Sequence, residues 1–387
     1  MKIAFMLLHD FRFAEWSLDV FLKRNHFSKE YSRRLAERGH EVTLYMLHQD
    51  VASIRTLDRD GYKIKVFPIQ FDFPPISRFG YSHNLQVIKE LSKDKPDIIH
   101  FNNYYLWSFP YVARWAKRNG VKIVCQYHGE CDILKPVRKI FIPIYQGVDK
   151  YLVAKDTEIT YMTESLGIRS SNILKFPNVG VDVTLFKASA CKSANPSLLY
   201  VGRMPSKTKN LKEKSPWLLL DIVAELADFI PNVEFYLIGD GPGIEVLKGA
   251  AAEKGLEGNV TFSGYIENSR LPPLYSRGWA TFIPLLLDSI DPFWDGSLKE
   301  SLACSTPVIG FKDGIGRYSD SLEKIGYLIP PNPKKGAAVL RDILCDQKCL
   351  SDTGKNGRQA MADCCSWESV IGRLESIYNS LLTAEKI

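Results

Sequence analysis

The stretch of residues 291–310, DPFWDGSLKESLACSTPVIG, holds the side chains best suited to chemistry. Its acidic, aromatic and glycine residues suit a loop, and Leu-Lys-Glu-Ser-Leu-Ala suits the first turns of a helix. Ser305-Thr306-Pro307 then breaks the pattern before a Val-Ile strand. A helix starting near Gly296 or Ser297 presents unpaired backbone N–H groups and the positive end of its dipole, which favours an anion. Glu300 falls about one turn in, where its carboxylate can accept hydrogen bonds from sugar or ribose hydroxyls. A solvated helix glutamate is the bland alternative, and it stays open on this stretch alone.

Other candidates lie at predicted strand ends. Gly202-Arg203 closes a strand, and the loop KTKNLKEKSPW follows it. Arg203 can pair with two phosphate oxygens at once, and Lys214, just before the next helix, is the best-placed point charge. Asn102, Asn103, His128 and Glu130 follow two apolar strands, VKIVCQY at 121–127 being the second. A histidine at a strand end is often structural, but this position followed by Gly129 favours a functional role. The sequence GDGPG at 239–243 fits either a backbone approach to a ligand or the packing of a helix on a sheet. It lacks the G-x-G-x-x-G spacing and a ribose-binding acid about 20 residues on. Asp58-Arg59-Asp60 has metal-ligand spacing but reads as a turn.

The elements that position these residues alternate along the chain. Strands are predicted at 2–8, 41–47, 62–69, 96–103 and 121–127, with helices at 27–38, 82–93 and 107–118 between them. After KYLVAKD and NILKFPN comes a Ser- and Ala-containing segment at 189–197. A second series follows, with strands at 197–202, 233–238, 259–262 and 279–284 and helices at 216–229, 243–254 and 271–277. Strand–helix–strand units of this kind make parallel sheets whose ligands bind beyond the strands' carboxyl ends. The expected class is α/β, with two tandem doubly wound domains. Boundaries are placed at 1–188, 189–366 and a final helix in 367–387.

Composition excludes several classes. With 45% hydrophobic and 24% charged residues, a chain of 387 residues is globular and long enough for two cores. Its eight cysteines lack paired metal-ligand spacing, and all seven histidines lie at or before residue 128. The cysteines read as reduced core residues, and no metal is expected. The N-terminus reads as a buried strand, not as a signal peptide, and no segment has the ~18–20 apolar residues of a membrane span. Residues 1–185 carry 27 Lys and Arg against 20 Asp and Glu (+7), and 186–387 carry 23 against 24 (−1). The basic half is consistent with an acidic partner, a membrane face or simple solvation.

With LLYVGRM, EKSPWLLLDIVAEL, VEFYLIGDGPGIEVLK, NVTFSGYI and LKESLACSTPVIGF in this order and spacing, the chain resembles glycosyltransferase family 4, nucleotide-sugar-dependent retaining enzymes of the GT-B fold. The resemblance runs from RRLAERGHEVTLY to SWESVIGRLESIY. It implies two Rossmann-like domains facing each other across a cleft, a C-terminal helix crossing the junction, and domain closure around the donor. Arg203 and Lys214 would bind the donor diphosphate, Glu300 the ribose, and the backbone at Tyr265-Ile266 the base. Gly202, Gly296, Ser297 and Leu298 would complete the donor site. His128 would approach the anomeric centre of the hexose, and Asn102 and Asn103 would shape the acceptor crevice. No protein nucleophile, cofactor or metal is implied, because arginine and lysine supply the charge.

Two departures stand out. DFRFAEWSLDVFLKRN lacks the family's Gly-Gly pair after the first strand, and Pro292 takes the place of a glutamate eight residues before Glu300. Asp291 or Asp295 is the acid available to replace it. Phe11, Phe13, Trp16 and Lys23 are candidates for an acceptor site peculiar to this chain. The expected protein is a cytoplasmic transferase of a hexose-type sugar from a UDP- or GDP-type donor to an unidentified acceptor hydroxyl, with no nucleic-acid partner. A peripheral membrane contact through the basic half stays open. The rival readings are a sugar-nucleotide epimerase on the same fold and a non-catalytic nucleotide-sugar-binding or partner subunit.

Overall fold

The computed structural model describes residues 1–9, 11, 16–71, 82–128, 139–204, 216–283, 295–311 and 324–383. Phe13, Glu130, Lys214, Asp291 and Pro292 lie outside the described residues. The chain divides into two compact units, one of Met1–Asn178 with Ile371–Ile387 and the other of Val179–Val370.

The first unit holds an eight-stranded sheet of β1 (Lys2–Leu7), β2 (Glu41–Leu47), β3 (Arg55–Arg59), β4 (Tyr62–Phe67), β5 (Ile98–Asn102), β6 (Lys122–Gln126), β7 (Lys150–Val153) and β8 (Ile173–Lys175). Their order is β3-β4-β2-β1-β5-β6-β7-β8, and all pairings are parallel except β3 with β4. Residues Ile3–Leu7 are buried on both faces, as a central parallel strand covered by helices requires. The helix Phe27–Glu37 turns Tyr31 and Leu35 inward and ends before Gly39, whose φ of 84° suits the residue after a helix.

The reading of Asp58-Arg59-Asp60 as a turn needs correcting. Asp58 and Arg59 belong to β3, and the turn is Asp60-Gly61, with φ of 45° and 81°. A two-residue hairpin turn of this hand favours Asp-Gly. β3 escaped the sequence reading because it is an edge strand exposed along most of its length, with no apolar alternation to reveal it.

The second unit holds β9 (Ser197–Val201), β10 (Glu234–Ile238), β11 (Val260–Gly264), β12 (Ala280–Phe282), β13 (Val308–Phe311) and β14 (Gly326–Ile329). The order is β11-β10-β9-β12-β13-β14, all parallel. Alternate residues of β9 feed two cores. Leu198 and Tyr200 join Leu219, Val223, Leu340 and Leu344 on one face, while Leu199 joins Tyr275, Leu298 and Leu302 on the other. β14 and the helices Pro333–Cys345 and Gln347–Ala360 had no sequence assignment. The cysteines are only partly core residues: Cys125, Cys304 and Cys365 are buried, whereas Cys191, Cys345, Cys349 and Cys364 are exposed.

The last helix, Trp367–Thr383, begins in the second unit and ends in the first. Within the first unit Glu375 pairs with Arg38 and lies 2.8 Å from His40 Nε2. Tyr378, fully buried, meets His100, whose Nδ1 is 2.6 Å from its hydroxyl and whose Nε2 is 3.0 Å from Gln126 Oε1. Since Oε1 only accepts, Nε2 carries the proton and Nδ1 accepts from Tyr378. Burial lowers the His100 pKa to about 3, so the ring stays neutral.

In the second unit Val181 forms a parallel bridge with Ser366, Val181 N donating to Cys365 O at 2.8 Å and Trp367 N to Val181 O at 3.1 Å. Gly180 lies under the Trp367 ring, where an added Cβ would come within 2.5 Å of it. Gly180→Ala is therefore expected to cost about 1–3 kcal/mol through overpacking. Urea denaturation of the variant checks this, and an unchanged midpoint would contradict the packing.

Candidate active site

In the second sheet the strand order reverses between β9 and β12, and ligands of open parallel sheets bind beyond the carboxyl ends at such a point. The helix Gly296–Ala303 follows β12. Its N-cap is Asp295, in extended conformation, with Oδ1 accepting from Leu298 N at 3.0 Å and from Ser297 Oγ at 2.7 Å. The chain thus supplies an anion of its own to this helix end. Gly296 is exposed, Ser297 half-buried and Leu298 buried in the core.

Glu300 is half-buried on the same helix. Asn268 Nδ2 donates to its Oε1 at 2.7 Å and the Tyr275 hydroxyl to its Oε2 at 3.0 Å. Loss of water around the carboxylate raises its pKa to about 7. The two hydrogen bonds and the Lys299 charge oppose that rise, and Asp295 adds to it. Tyr275 is fully buried, and burial and the neighbouring Glu300 push its own pKa well above the usual phenol range, so it remains a donor. Hydroxyls pin the helix below. Ser301 Oγ donates to Thr306 O at 2.9 Å and lies 2.7 Å from Thr281 Oγ1, from which it can accept, and Thr306 Oγ1 donates to Tyr275 O at 2.7 Å. Lys299, buried, donates to Val179 O at 2.8 Å.

Arg203 follows β9 with an exposed side chain, while its carbonyl accepts from the Tyr200 hydroxyl at 2.6 Å. The GDGPG segment packs on this strand end. Gly202 N donates to Ile238 O, Met204 N to Asp240 O and Gly243 N to Met204 O, each at 3.0 Å. Gly239 and Gly241 have φ of 135° and 151°, and added Cβ atoms would stand 1.9 Å from Gly202 O and 2.3 Å from Met204 O. Of the two sequence readings of GDGPG, close packing of backbone on backbone is what these glycines serve. Burial raises the Tyr200 pKa and the Asp295 charge raises it further, which ties Asp295 to both Tyr200 and Glu300. Arg203, Asp295 and Glu300 thus share one end of the sheet. Tyr265, after β11, is 67% exposed, and Ile266 packs partly buried against the core.

The first unit brings together some of its candidates. Asn103 follows β5 at a φ of 68°, a conformation that asparagine tolerates, and its Oδ1 accepts from His128 N at 2.7 Å. The His128 ring stacks on Phe27 with centroids 4.2 Å apart. Asn102 is fully buried, with Nδ2 donating to Met6 O at 2.7 Å, which gives it a structural tie. Trp16 stacks on Phe11 at 6.0 Å under the Arg24 guanidinium, 5.1 Å from its ring centroid. Lys23 lies in the exposed last turn of the helix Leu18–Lys23.

Sequence reasoning missed Asn268 and Tyr275. They sit 32 and 25 residues from Glu300, in a short polar turn and a short apolar helix, and neither segment carries a signal that pairs it with a carboxylate. No helix among the described residues is long and apolar enough to cross a membrane. No group of three or more His, Cys, Asp or Glu among them is placed to hold a metal.

The raised Glu300 pKa makes stability depend on pH. The folded chain holds this proton more tightly than the unfolded chain, where the group titrates near 4.5. Ionisation therefore costs stability as pH rises from about 4.5 to about 7, and the cost persists above that window. Relative to the parent, Glu300→Gln is expected to gain Tm between pH 4.5 and pH 8, and a Tm difference that is flat across this range would contradict the buried carboxylate.

Comparison with known proteins bears on the family and the fold. The profile of Glycosyltransferase Family 4 matches residues 26–221, just over half of the chain, and that of Glycosyl transferases group 1 matches residues 184–360. A 2-deoxystreptamine glucosyltransferase of Streptomyces kanamyceticus is 26% identical over 269 residues, 63% of this chain, and the match spans only 65% of that relative's length. A subunit of the phosphatidylinositol N-acetylglucosaminyltransferase of Arabidopsis thaliana is 20% identical across 91% of this chain and 77% of its own. Among solved structures, the sucrose-phosphate synthase of Thermosynechococcus elongatus superposes with a TM-score of 0.70 at 19% identity, covering 99% of both chains. Anabaena HepE in complex with UDP does so with a TM-score of 0.70 at 14% identity, covering 98% of this chain and 100% of its own. With two Rossmann-like sheets and a family profile covering all strands of the first except β1, and the start of the second, the chain belongs to glycosyltransferase family 4 and has the GT-B fold.

Proposed function

We propose that this glycosyltransferase moves a hexose from a nucleoside-diphosphate sugar to an acceptor hydroxyl with retention of configuration and without a metal ion. The observation that carries the reading is Glu300, held between Asn268 and Tyr275 beside the strand end that bears Arg203. A carboxylate whose pKa is raised to about 7 gains from new donors, and the two hydroxyls of a ribose supply them. Structures of Anabaena HepE with UDP and with UDP-glucose support UDP as the nucleotide.

In this reading Arg203 and Lys214 bind the diphosphate and stabilise the charge that builds on it as the glycosidic bond breaks. Two side-chain cations then do the work of a divalent ion, so no metal is needed. The acceptor hydroxyl attacks from the face that the nucleotide leaves, which preserves the anomeric configuration without a protein nucleophile. The exposed Tyr265 and the backbone at Ile266 hold the base. Asn103 fixes the main chain of His128 and Phe27 fixes its ring, so the imidazole meets the hexose without reorganising. The setting is cytoplasmic.

Two measurements test the reading. With UDP-glucose as donor, Arg203→Ala is expected to lower kcat/KM for donor consumption by roughly 100-fold or more, and unchanged turnover would refute the diphosphate site. Asn103→Ala is expected to lower kcat about tenfold with little change in the affinity for UDP, because it loosens His128 and leaves the nucleotide site intact.

A further inference from the structure

At the amino ends of the second sheet's strands the second unit holds an open hollow of about 640 Å³, whose lining does not include Glu300. That is within the ~300–1,000 Å³ usual for small-molecule sites. Its wall comes from the residues leading into β9, from the start of β12, from the turn Cys304-Ser305 and from the helix Gln347–Ala360. Ser305 takes a φ of 58°, and its carbonyl comes so close to Gly354 that a Cβ there would stand 2.2 Å away. This contact seats the turn on the helix, with Gln347, Leu350, Ser351 and Lys355 on the helix's facing side.

The chemistry of the wall is one-sided. Lys192 and Lys355 are its charged residues, and no carboxylate is among the described residues that line it. Lys192 Nζ donates to Gly278 O at 2.6 Å and to Thr306 Oγ1 at 2.8 Å, so an ammonium with three donors keeps one for a ligand. The residue as a whole is exposed, but desolvation around its ammonium lowers the pKa to about 8, and Cys304 opposes that shift. Lys355 lies 3.3 Å from Asp352 in an exposed pair that a better anion can displace. Between the two lysines Trp279 and Leu350 offer an apolar floor, with the Trp279 indole fixed by its N–H to Ser193 O at 2.9 Å. Cys304 also lines the hollow, but burial pushes its thiol up to about 12, so it is no nucleophile.

We infer that this hollow is a second binding site, separate from the sugar-transfer site, for a small organic anion with an aromatic or apolar body and one phosphate or carboxylate group. The anionic group sits between Lys192 and Lys355, with Ser351 able to donate, and the apolar body lies against Trp279 and Leu350.

The test follows the indole itself. The full chain is labelled with 5-fluorotryptophan, the Trp279 fluorine signal is assigned with Trp279→Phe, and phenyl phosphate is titrated with benzyl alcohol as the neutral control. A local reporter separates this site from any binding of the phosphate at Arg203. The expected result is a saturable shift of the Trp279 signal with phenyl phosphate, at least about tenfold weaker with benzyl alcohol. Lys192→Met should weaken binding about tenfold and Lys355→Met about threefold. Lys355 is exposed, so its variant tests the charge even if Lys192→Met fails to fold. No saturable shift at millimolar phenyl phosphate, an equal response to benzyl alcohol, or binding indifferent to Lys355→Met would overturn the inference.

Discussion

A carboxylate drawn partly out of water and compensated by two neutral donors is the interaction on which the candidate site rests. Glu300 meets Asn268 and Tyr275 where a cation would have been the simpler partner, and loss of water raises its pKa to about 7 although both hydrogen bonds oppose the rise. An ion pair would have lowered that pKa and left the carboxylate less to gain from further donors. The arrangement is also mechanically expensive, because a half-paired carboxylate must be kept from relaxing toward water or a nearby lysine. The hydroxyl chain through Ser301, Thr281, Thr306 and the Tyr275 carbonyl holds the helix where it is. Lys299, the neighbouring cation, is turned to Val179 O.

The rest of the second unit's strand-end geometry depends on backbone packed against backbone. Gly239 and Gly241 let the loop after β10 lie directly on residues 202–204, and Tyr200 holds the Arg203 carbonyl from below. The main chain at Arg203 is therefore rigid while its guanidinium is exposed, which suits a group that must close on a ligand. The first unit solves the same problem with side chains. Asn103, in a left-handed conformation, accepts from the His128 amide, and Phe27 stacks on the ring. In each unit the candidate residues follow parallel strands at their carboxyl ends, where the helix starts and loops of such sheets gather.

Buried polar residues elsewhere show that the fold satisfies its polar groups through long-range pairs. His100 stays neutral between Tyr378 and Gln126, and Gln126 in turn donates to Pro177 O at 3.0 Å. Lys65 is buried against Glu90 and Asp94 at 2.8 and 2.7 Å. Both sites link strands of the first sheet to helices far along the chain, so each asks for the assembled tertiary structure and rewards it.

The alternation of strands and helices was legible because strands such as Lys2–Leu7 and Ser197–Val201 are buried along most of their length and read as largely apolar runs. The helix start at Gly296 and the place of Glu300 one turn inside it were legible for a local reason as well, since capping and turn chemistry act over three or four residues. The edge strand β3 was not, because solvent on both sides erased its pattern, although Asp60-Gly61 carried the hairpin signal. Neither were the partners of Glu300, the tie between Asn103 and His128, or the choice of GDGPG as a packing segment. A hydrogen bond across 25 or 32 residues depends on where two elements come to rest, and a glycine's purpose depends on what presses against it. The sequence by itself determined the order of elements and the residue types at their ends; the tertiary structure alone decided which of those residues meet, because only packing sets the distances over which hydrogen bonds and burial act.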